Sequence, residues 1–192
     1  MILTELKKFG IEVSDRKELY RFIGPPLAWG FETFYGFSPF DAQKAVEAYR
    51  EYYCDRGIWE NRLYPGIPFL LSSLAQAGKI LLMATSKPEP LAVQIAEHFE
   101  IADSFSVIAG SELDGRRTDK AEVIRYALAC GKVCTTDRAV MIGDREYDII
   151  GAKKTGLSSV GVLYGYGSET ELKEAGADRI VKTVSDLKFL FL

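Results

Sequence analysis

The 192 residues contain one histidine, three cysteines and two tryptophans. The histidine, His98, closes a helical pattern among Val93, Ile95 and Phe99, where a helix-end or surface position is expected; so placed, it gives no Ser/His/Asp relay. Cys54, Cys130 and Cys134 are an odd set without metal-type spacing, which fits a reducing, cytoplasmic setting. Cys130 and Cys134, on either side of Gly131, read as packing residues at a helix end. Long apolar runs are missing: Ile80 to Ala84 is far too short to span a bilayer, so no membrane partner is expected. The opening residues show no signal peptide, because Leu6-Lys7-Lys8-Phe9 carries helical spacing and early charge. Charge of one sign is also missing. Lys and Arg total 24 against 27 Asp and Glu, a net −3, which gives no electrostatic reason to expect nucleic acid. No GxGxxG follows an apolar run, which disfavours a dinucleotide site. A monomer or homodimer is expected.

With 47% hydrophobic and 27% charged residues, the composition is that of an ordered globular chain. Two textures divide it. Residues 1–64 read as helical: Ser14 is a candidate cap, and Ser38-Pro39-Phe40-Asp41 combines an N-cap, a proline at the first helical position and an acid in the first turn. Ala42, Ala45, Val46, Tyr49 and Tyr53 then share one face, and Gly57 stops the pattern. Residues 65–192 alternate short apolar runs with helical patterns. The runs are Ile80–Thr85, Phe105–Ala109, Ala139–Gly143, Val160–Tyr164 and Arg179–Val181; the helical patterns lie at 67–78, 88–98, 119–130, 146–155, 169–175 and 184–191. The expected fold class is α/β, a Rossmann-like parallel sheet covered by helices on both faces, beside a small α-helical unit. Chemistry in such sheets gathers at the C-terminal ends of the strands.

At the first of these ends, Ser86 and Glu89 fit a capping box, while Thr85, as the last strand residue, can aim its hydroxyl into the crevice. At the third, Gly143-Asp144 with Asp148 sets two carboxylates one helical turn apart, an arrangement suited to a hard cation such as Mg²⁺. Between them, Lys120 opens a helix behind Asp119, where the helix dipole disfavours a cation unless an anion is there to meet it.

Taken in order, Thr85, Lys120 and Gly143-Asp144…Asp148 resemble the haloacid dehalogenase-like hydrolases, in their phosphoglycolate phosphatase-like branch. Gly110-Ser111-Glu112-Leu113-Asp114-Gly115 and Phe22-Ile23-Gly24-Pro25-Pro26-Leu27 are similar to that branch as well. The resemblance implies a cap over residues 1–64 and a catalytic core over 65–192. It implies a small phosphorylated substrate, phosphate binding by Thr85, Ser86 and Lys120, with Lys120 catalytic, and Mg²⁺ held by Asp144, with Asp148 a ligand or a carboxylate behind it. Gly24, Pro25 and Pro26 would form a cap loop facing substrate, beside the aromatics Trp29, Phe31 and Phe34. The implied activity is phosphomonoester hydrolysis through an aspartyl-phosphate. A phosphomutase sibling and a non-catalytic phosphate-binding relative are the alternatives; a dehalogenase is disfavoured, since that chemistry does not need the Asp144–Asp148 pair.

One family motif is missing. The nucleophile stands in Asp-x-Asp-Gly-Thr/Ser at the end of the first core strand, and no Asp-x-Asp occurs in these 192 residues. The resemblance places that strand between the Thr85 and Asp144 strands. The expectation is a native extension of roughly 20–30 residues, the size of a strand, a loop and part of a helix. The 192 residues alone are then expected to be inactive or poorly stable.

Overall fold

The computed structural model describes residue 2, residues 6–7 and residues 9–192. The Lys8 part of the opening helical pattern lies outside the described residues. Two compact units divide the chain, Met1–Arg62 and Leu63–Leu192.

In the first unit a 3₁₀ segment, Arg16–Phe22, leads into α1 (Leu27–Tyr35) and α2 (Pro39–Asp55). Asp15, not Ser14, caps the 3₁₀ segment, accepting the Lys17 N–H at 2.9 Å. Ser38 caps α2 as its sequence pattern requires. Helix α2 ends at Asp55, ahead of Gly57, which begins a short 3₁₀ turn instead. The core consists of Leu6, Phe22, Phe31, Ala42, Ala45 and Val46. Gly30 is required here: a Cβ would lie 2.8 Å from the Phe22 ring. Phe31 is fully buried in this cluster, so it packs the unit and offers no surface to a ligand.

The second unit runs α3 (Ile67–Gln76), β1 (Leu82–Pro88), α4 (Glu89–His98), β2 (Val107–Ser111), α5 (Lys120–Cys130), β3 (Val140–Gly143), α6 (Glu146–Thr155), β4 (Ser158–Val162), α7 (Glu169–Ala175), β5 (Arg179–Val181) and α8 (Val184–Phe191). All pairings are parallel, as βαβ crossovers dictate. The described strands form two ladders, β1–β2 and β3–β4–β5. Among the described residues, one edge of β1 and one edge of β3 are therefore without a strand partner.

The same helices serve both ladders. On one face α3 brings Leu70 and Leu74 against Leu81, Val140 and Ile142, and Leu71 against Leu81 and Met83. On the opposite face Ile124 of α5 packs against both Ala84 of β1 and Met141 of β3. Every residue of β1 and β3 is nevertheless only partly buried, whereas Ser159–Val162 of β4 is buried throughout. Cys130, the last residue of α5, and Cys134 beyond it are exposed, so they are not packing residues; Cys54 of α2 is exposed too. His98 lies exposed in the last turn of α4, its ring 5.0 Å from that of Phe99. No described helix is long and apolar enough to cross a membrane.

Candidate active site

The end of β1 is built differently from its local sequence pattern. Thr85 is not the last residue, because the strand continues to Pro88 with a register shift after Ala84. Its hydroxyl accepts the Lys87 N–H at 3.2 Å. Ser86 caps nothing. Pro88 takes the N-cap of α4, so Glu89 stands at the first helical position, too early to reach back as a capping-box acid. Ser86 is held instead through its carbonyl, which accepts the Ser111 hydroxyl at 2.9 Å. The Glu89 carboxylate turns to β2, accepting the Gly110 N–H and pairing with Arg117, both at 3.2 Å.

Lys120 is the first residue of α5, behind Asp119, whose carboxylate accepts the N–H groups of Ala121 and Glu122. Its side chain is 11% exposed, and its ammonium meets two partners: it donates to the Ala84 carbonyl at 3.0 Å and pairs with Asp148 Oδ1 at 2.8 Å. One cation thus ties β1 at Ala84 to the helix that follows β3. Gly151 makes room for it, since a Cβ there would lie 2.7 Å from Lys120 Cγ.

Asp148 lies in the first turn of α6. Its Oδ2 accepts the N–H groups of Asp144 and Arg145, each at 3.1 Å, while Oδ1 faces Lys120. A Cβ on Gly143 would collide with this carboxyl group. Gly143→Ala is therefore expected to displace Asp148 and cost about 1–3 kcal/mol, as overpacking does; urea unfolding measures it, and a loss below about 0.5 kcal/mol would show that the loop absorbs the methyl group.

Asp144 is enclosed by Gly165 and Gly167, and its Oδ2 accepts the Tyr166 N–H at 2.7 Å. Burial pushes its acid above the ordinary carboxylate range; the Tyr166 N–H opposes this and neighbouring Asp148 adds to it. Tyr64 and Tyr164 stand close by in edge contact, ring centroids 5.4 Å apart. The Tyr164 hydroxyl is pushed up to about 12 by burial, then by Asp144 and Tyr64.

Two groups at the site escape motif reading. Arg117 donates to the Gly110 carbonyl at 2.8 Å, pairs with Glu89 and lies 3.6 Å over the Tyr126 ring, fixing the loop that delivers Lys120. Lys87 is the other: burial brings its ammonium down to about 8. Its unfolded value is higher, so between about pH 8 and 10.5 the unfolded chain binds more protons and stability rises with pH. Lys87→Met is expected to remove that rise in denaturation curves taken across the window. A rise that persists in the variant belongs to another group.

Residues 1–162 match the family described as haloacid dehalogenase-like hydrolase. The chain belongs to that family. It is 45% identical over 168 residues to a 5'-nucleotidase of Pseudomonas aeruginosa, a match covering 88% of this chain and 76% of that protein. It is 40% identical to tyrosine-protein kinase PtkA of Mycobacterium tuberculosis, covering 84% of the chain and 55% of the relative. A phosphoglycolate phosphatase of Neisseria meningitidis is 35% identical, covering 71% and 58%. The chain thus spans little more than half the length of the last two. The crystal structure of a predicted phosphatase from Clostridium acetobutylicum superposes with a TM-score of 0.94 at 47% identity, covering 98% of this chain and 87% of that one.

The donor set bears on the Mg²⁺ expected of such a hydrolase. Among the described residues no three His, Cys, Asp or Glu side chains gather as a metal cage. Mg²⁺ does not need one, since it commonly takes one or two carboxylates and completes its octahedron with water and phosphate oxygens. Asp148 has committed both oxygens to Lys120 and two N–H groups. Asp144, buried and with its acid pushed up, is the carboxylate that a cation would relieve. The residues fit Mg²⁺ through Asp144, with Asp148 behind it. Gly24, Pro25 and Pro26 lie in the helical unit, forming the turn into α1; Pro25 is buried and Pro26 is exposed at the N-cap.

Proposed function

We propose that this chain carries the phosphoryl-binding and cation-binding parts of a Mg²⁺-assisted phosphatase of small phosphorylated metabolites. By family it is a phosphoric monoester hydrolase. The supporting observation is the placing of the Lys120 ammonium, 3.0 Å from the carbonyl of Ala84, where the regular pairing of β1 with β2 stops, and 2.8 Å from Asp148. A phosphoryl group at these strand ends meets a fixed cation whose own charge is held in place by a buried carboxylate. Thr85 and Ser86 border the same end, and their hydroxyls are the neutral donors for its oxygens. Asp144 would hold Mg²⁺, which when bound screens the phosphate oxygens and the charge that develops on them. Contact of Gly24, Pro25 and Pro26 with substrate is carried by the resemblance alone.

In the proposed reaction an aspartate attacks phosphorus, the P–O bond to the alcohol breaks, and the second aspartate of the Asp-x-Asp pair gives the leaving alcohol its proton, which it regains from the attacking water. Water then cleaves the acyl phosphate, returning the carboxylate and releasing phosphate. The attacking aspartate would stand on a strand between β1 and β3 and is not among these 192 residues. The similarity to a 5'-nucleotidase and to phosphoglycolate phosphatases makes nucleoside monophosphates and phosphoglycolate the first substrates to assay. A second reading is a relative that keeps Thr85, Ser86 and Lys120 for binding such phosphates without hydrolysing them.

Phosphate release is the test, measured with Mg²⁺ and with EDTA, on the chain alone and on the chain preceded by an in-frame strand ending in Asp-x-Asp-Gly-Thr. Release is expected from the second protein alone, and Lys120→Met in it should lower kcat about 10²–10³-fold. Release from the 192 residues at an equal rate would place the nucleophile elsewhere. Phosphate binding without release by either protein would favour the second reading.

A further inference from the structure

Asp144 lies one residue past the last ladder pair of β3, Gly143 with Gly161, so the sheet no longer fixes its backbone. Two carboxylates take over. Asp148 accepts the N–H groups of Asp144 and Arg145 from one side. Glu171, in the first turn of α7, works from the other. Its Oε1 alone accepts the Arg145 Nε–H at 2.7 Å and the Glu146 N–H at 2.9 Å. The pair is charge-assisted and shielded, with Arg145 12% and Glu171 22% exposed, so water and salt weaken it less than a surface pair.

Glu171 can anchor its neighbours because its own place is fixed. Ser168 caps α7 and accepts the Glu171 N–H at 3.1 Å. Leu172, the next residue, is fully buried against Gly161 of β4, where a Cβ would lie 2.9 Å from Leu172 Cδ1. Gly161 is the register partner of Gly143, so α7 is seated on the sheet at the level where β3 ends. The β4–α7 loop closes a further side of Asp144: the Tyr166 N–H bonds its Oδ2 at 2.7 Å, and Gly165 and Gly167 leave no room for a Cβ against it. Ser168 and Leu172 already hold α7. The two bonds of Glu171 go instead to the two residues that follow Asp144. We propose that Glu171, through Arg145 and the Glu146 N–H, is the positioning residue of Asp144, aiming its carboxylate at the cation while touching neither cation nor substrate. The metal part of this proposal rests on the reading of Asp144 as the Mg²⁺ carboxylate; the positioning part does not.

The test uses the 192-residue chain, with Mg²⁺ binding measured by calorimetry and exchange of the Tyr166 amide followed by NMR without metal, both well below the Tm of each variant. Glu171→Ala is expected to weaken Mg²⁺ binding about 10–100-fold, the range for losing a group that orients a metal ligand. It should also speed exchange of the Tyr166 amide about tenfold, as its bond to Asp144 opens more often, while Val160 and Val162 of β4 exchange as before. Glu171→Gln keeps the accepting oxygen and should recover most of both. Arg145→Met should act in the direction of Glu171→Ala, and the double variant should be little worse than Glu171→Ala alone, since both break one link. Should Glu171→Ala fail to fold, Glu171→Gln set against Arg145→Met makes the same comparison. Asp144→Asn identifies the cation site and should abolish Mg²⁺ binding. Where it does, a Glu171→Ala protein that melts lower and binds Mg²⁺ as before overturns the proposal, because it shows a role in stability alone. Where it does not, or where the chain binds no Mg²⁺, the cation reading of Asp144 fails and the amide decides: Tyr166 exchange unchanged in Glu171→Ala overturns the positioning role, and faster exchange upholds it.

Discussion

Asp148→Ala is expected to cost the α/β unit about 3–5 kcal/mol, the range for removing one partner of a buried ion pair. Both side chains are nearly inaccessible, 11% exposed for Lys120 and 9% for Asp148, so water cannot replace the lost carboxylate. The lysine keeps its bond to Ala84 but becomes a buried cation without an anion. The N–H groups of Asp144 and Arg145 lose their acceptor in the same step, and α6 loses one of the two acids in its first turn, keeping Glu146. Equilibrium urea unfolding at neutral pH measures the cost. Lys120→Met should be similarly damaging, because it strands the carboxylate. The double variant should cost clearly less than the sum of the two, because it leaves neither charge behind. Strict additivity would mean that the pair does not act as a unit, and the account of Lys120 as a fixed cation would fail with it.

How much of this was legible in the sequence depends on whether a feature is local. Helix starts that carry a polar cap were readable: Ser38 and Asp119 cap where their spacing requires, because a cap bonds to N–H groups two or three residues along the chain. The strand at Arg179–Val181 and the helix at 146–155 fall where the apolar pattern puts them. Other strands slide. The run Phe105–Ala109 becomes Val107–Ser111, since ladder formation is decided by the neighbouring strand, and β2 ends on Ser111 because its hydroxyl finds the Ser86 carbonyl. Ser86 misled because Ser-x-x-Glu is a local signal overruled by a distant one, the pull of Gly110 and Arg117 on Glu89. The Arg145–Glu171 pair and the Tyr166 bond to Asp144 join residues far apart in sequence, so no spacing rule reveals them.

The largest effect is expected from adding a strand. The chain preceded by an in-frame apolar strand ending in Asp-x-Asp should unfold at a markedly higher urea concentration than the 192 residues alone. The two ladders present facing needs: β1 and β3 each have an edge without a strand partner, and both share α3 on one face and Ile124 of α5 on the other. A parallel strand set between them would bury about four apolar side chains at roughly 2 kcal/mol each, near 8 kcal/mol in all. That is comparable to the whole net stability of an ordinary domain, about 5–15 kcal/mol. It would also occupy two sets of backbone donors and acceptors that are otherwise open to wrong partners. Amide exchange at Ala84 and Ile142 should slow in the extended protein, because alternate residues of a parallel strand bond to opposite neighbours and these two face the open edges of β1 and β3. The chemistry should follow the structure: replacing the first aspartate of the added strand by asparagine should leave the stability gain in place while lowering kcat by on the order of 10⁶. A strand that stabilises without conferring hydrolysis would uphold the sheet argument and remove the phosphatase one. A strand that leaves both the urea midpoint and the exchange rates unchanged would show that β1 and β3 do not accept a partner, and the split between the ladders would then be a property of this fold.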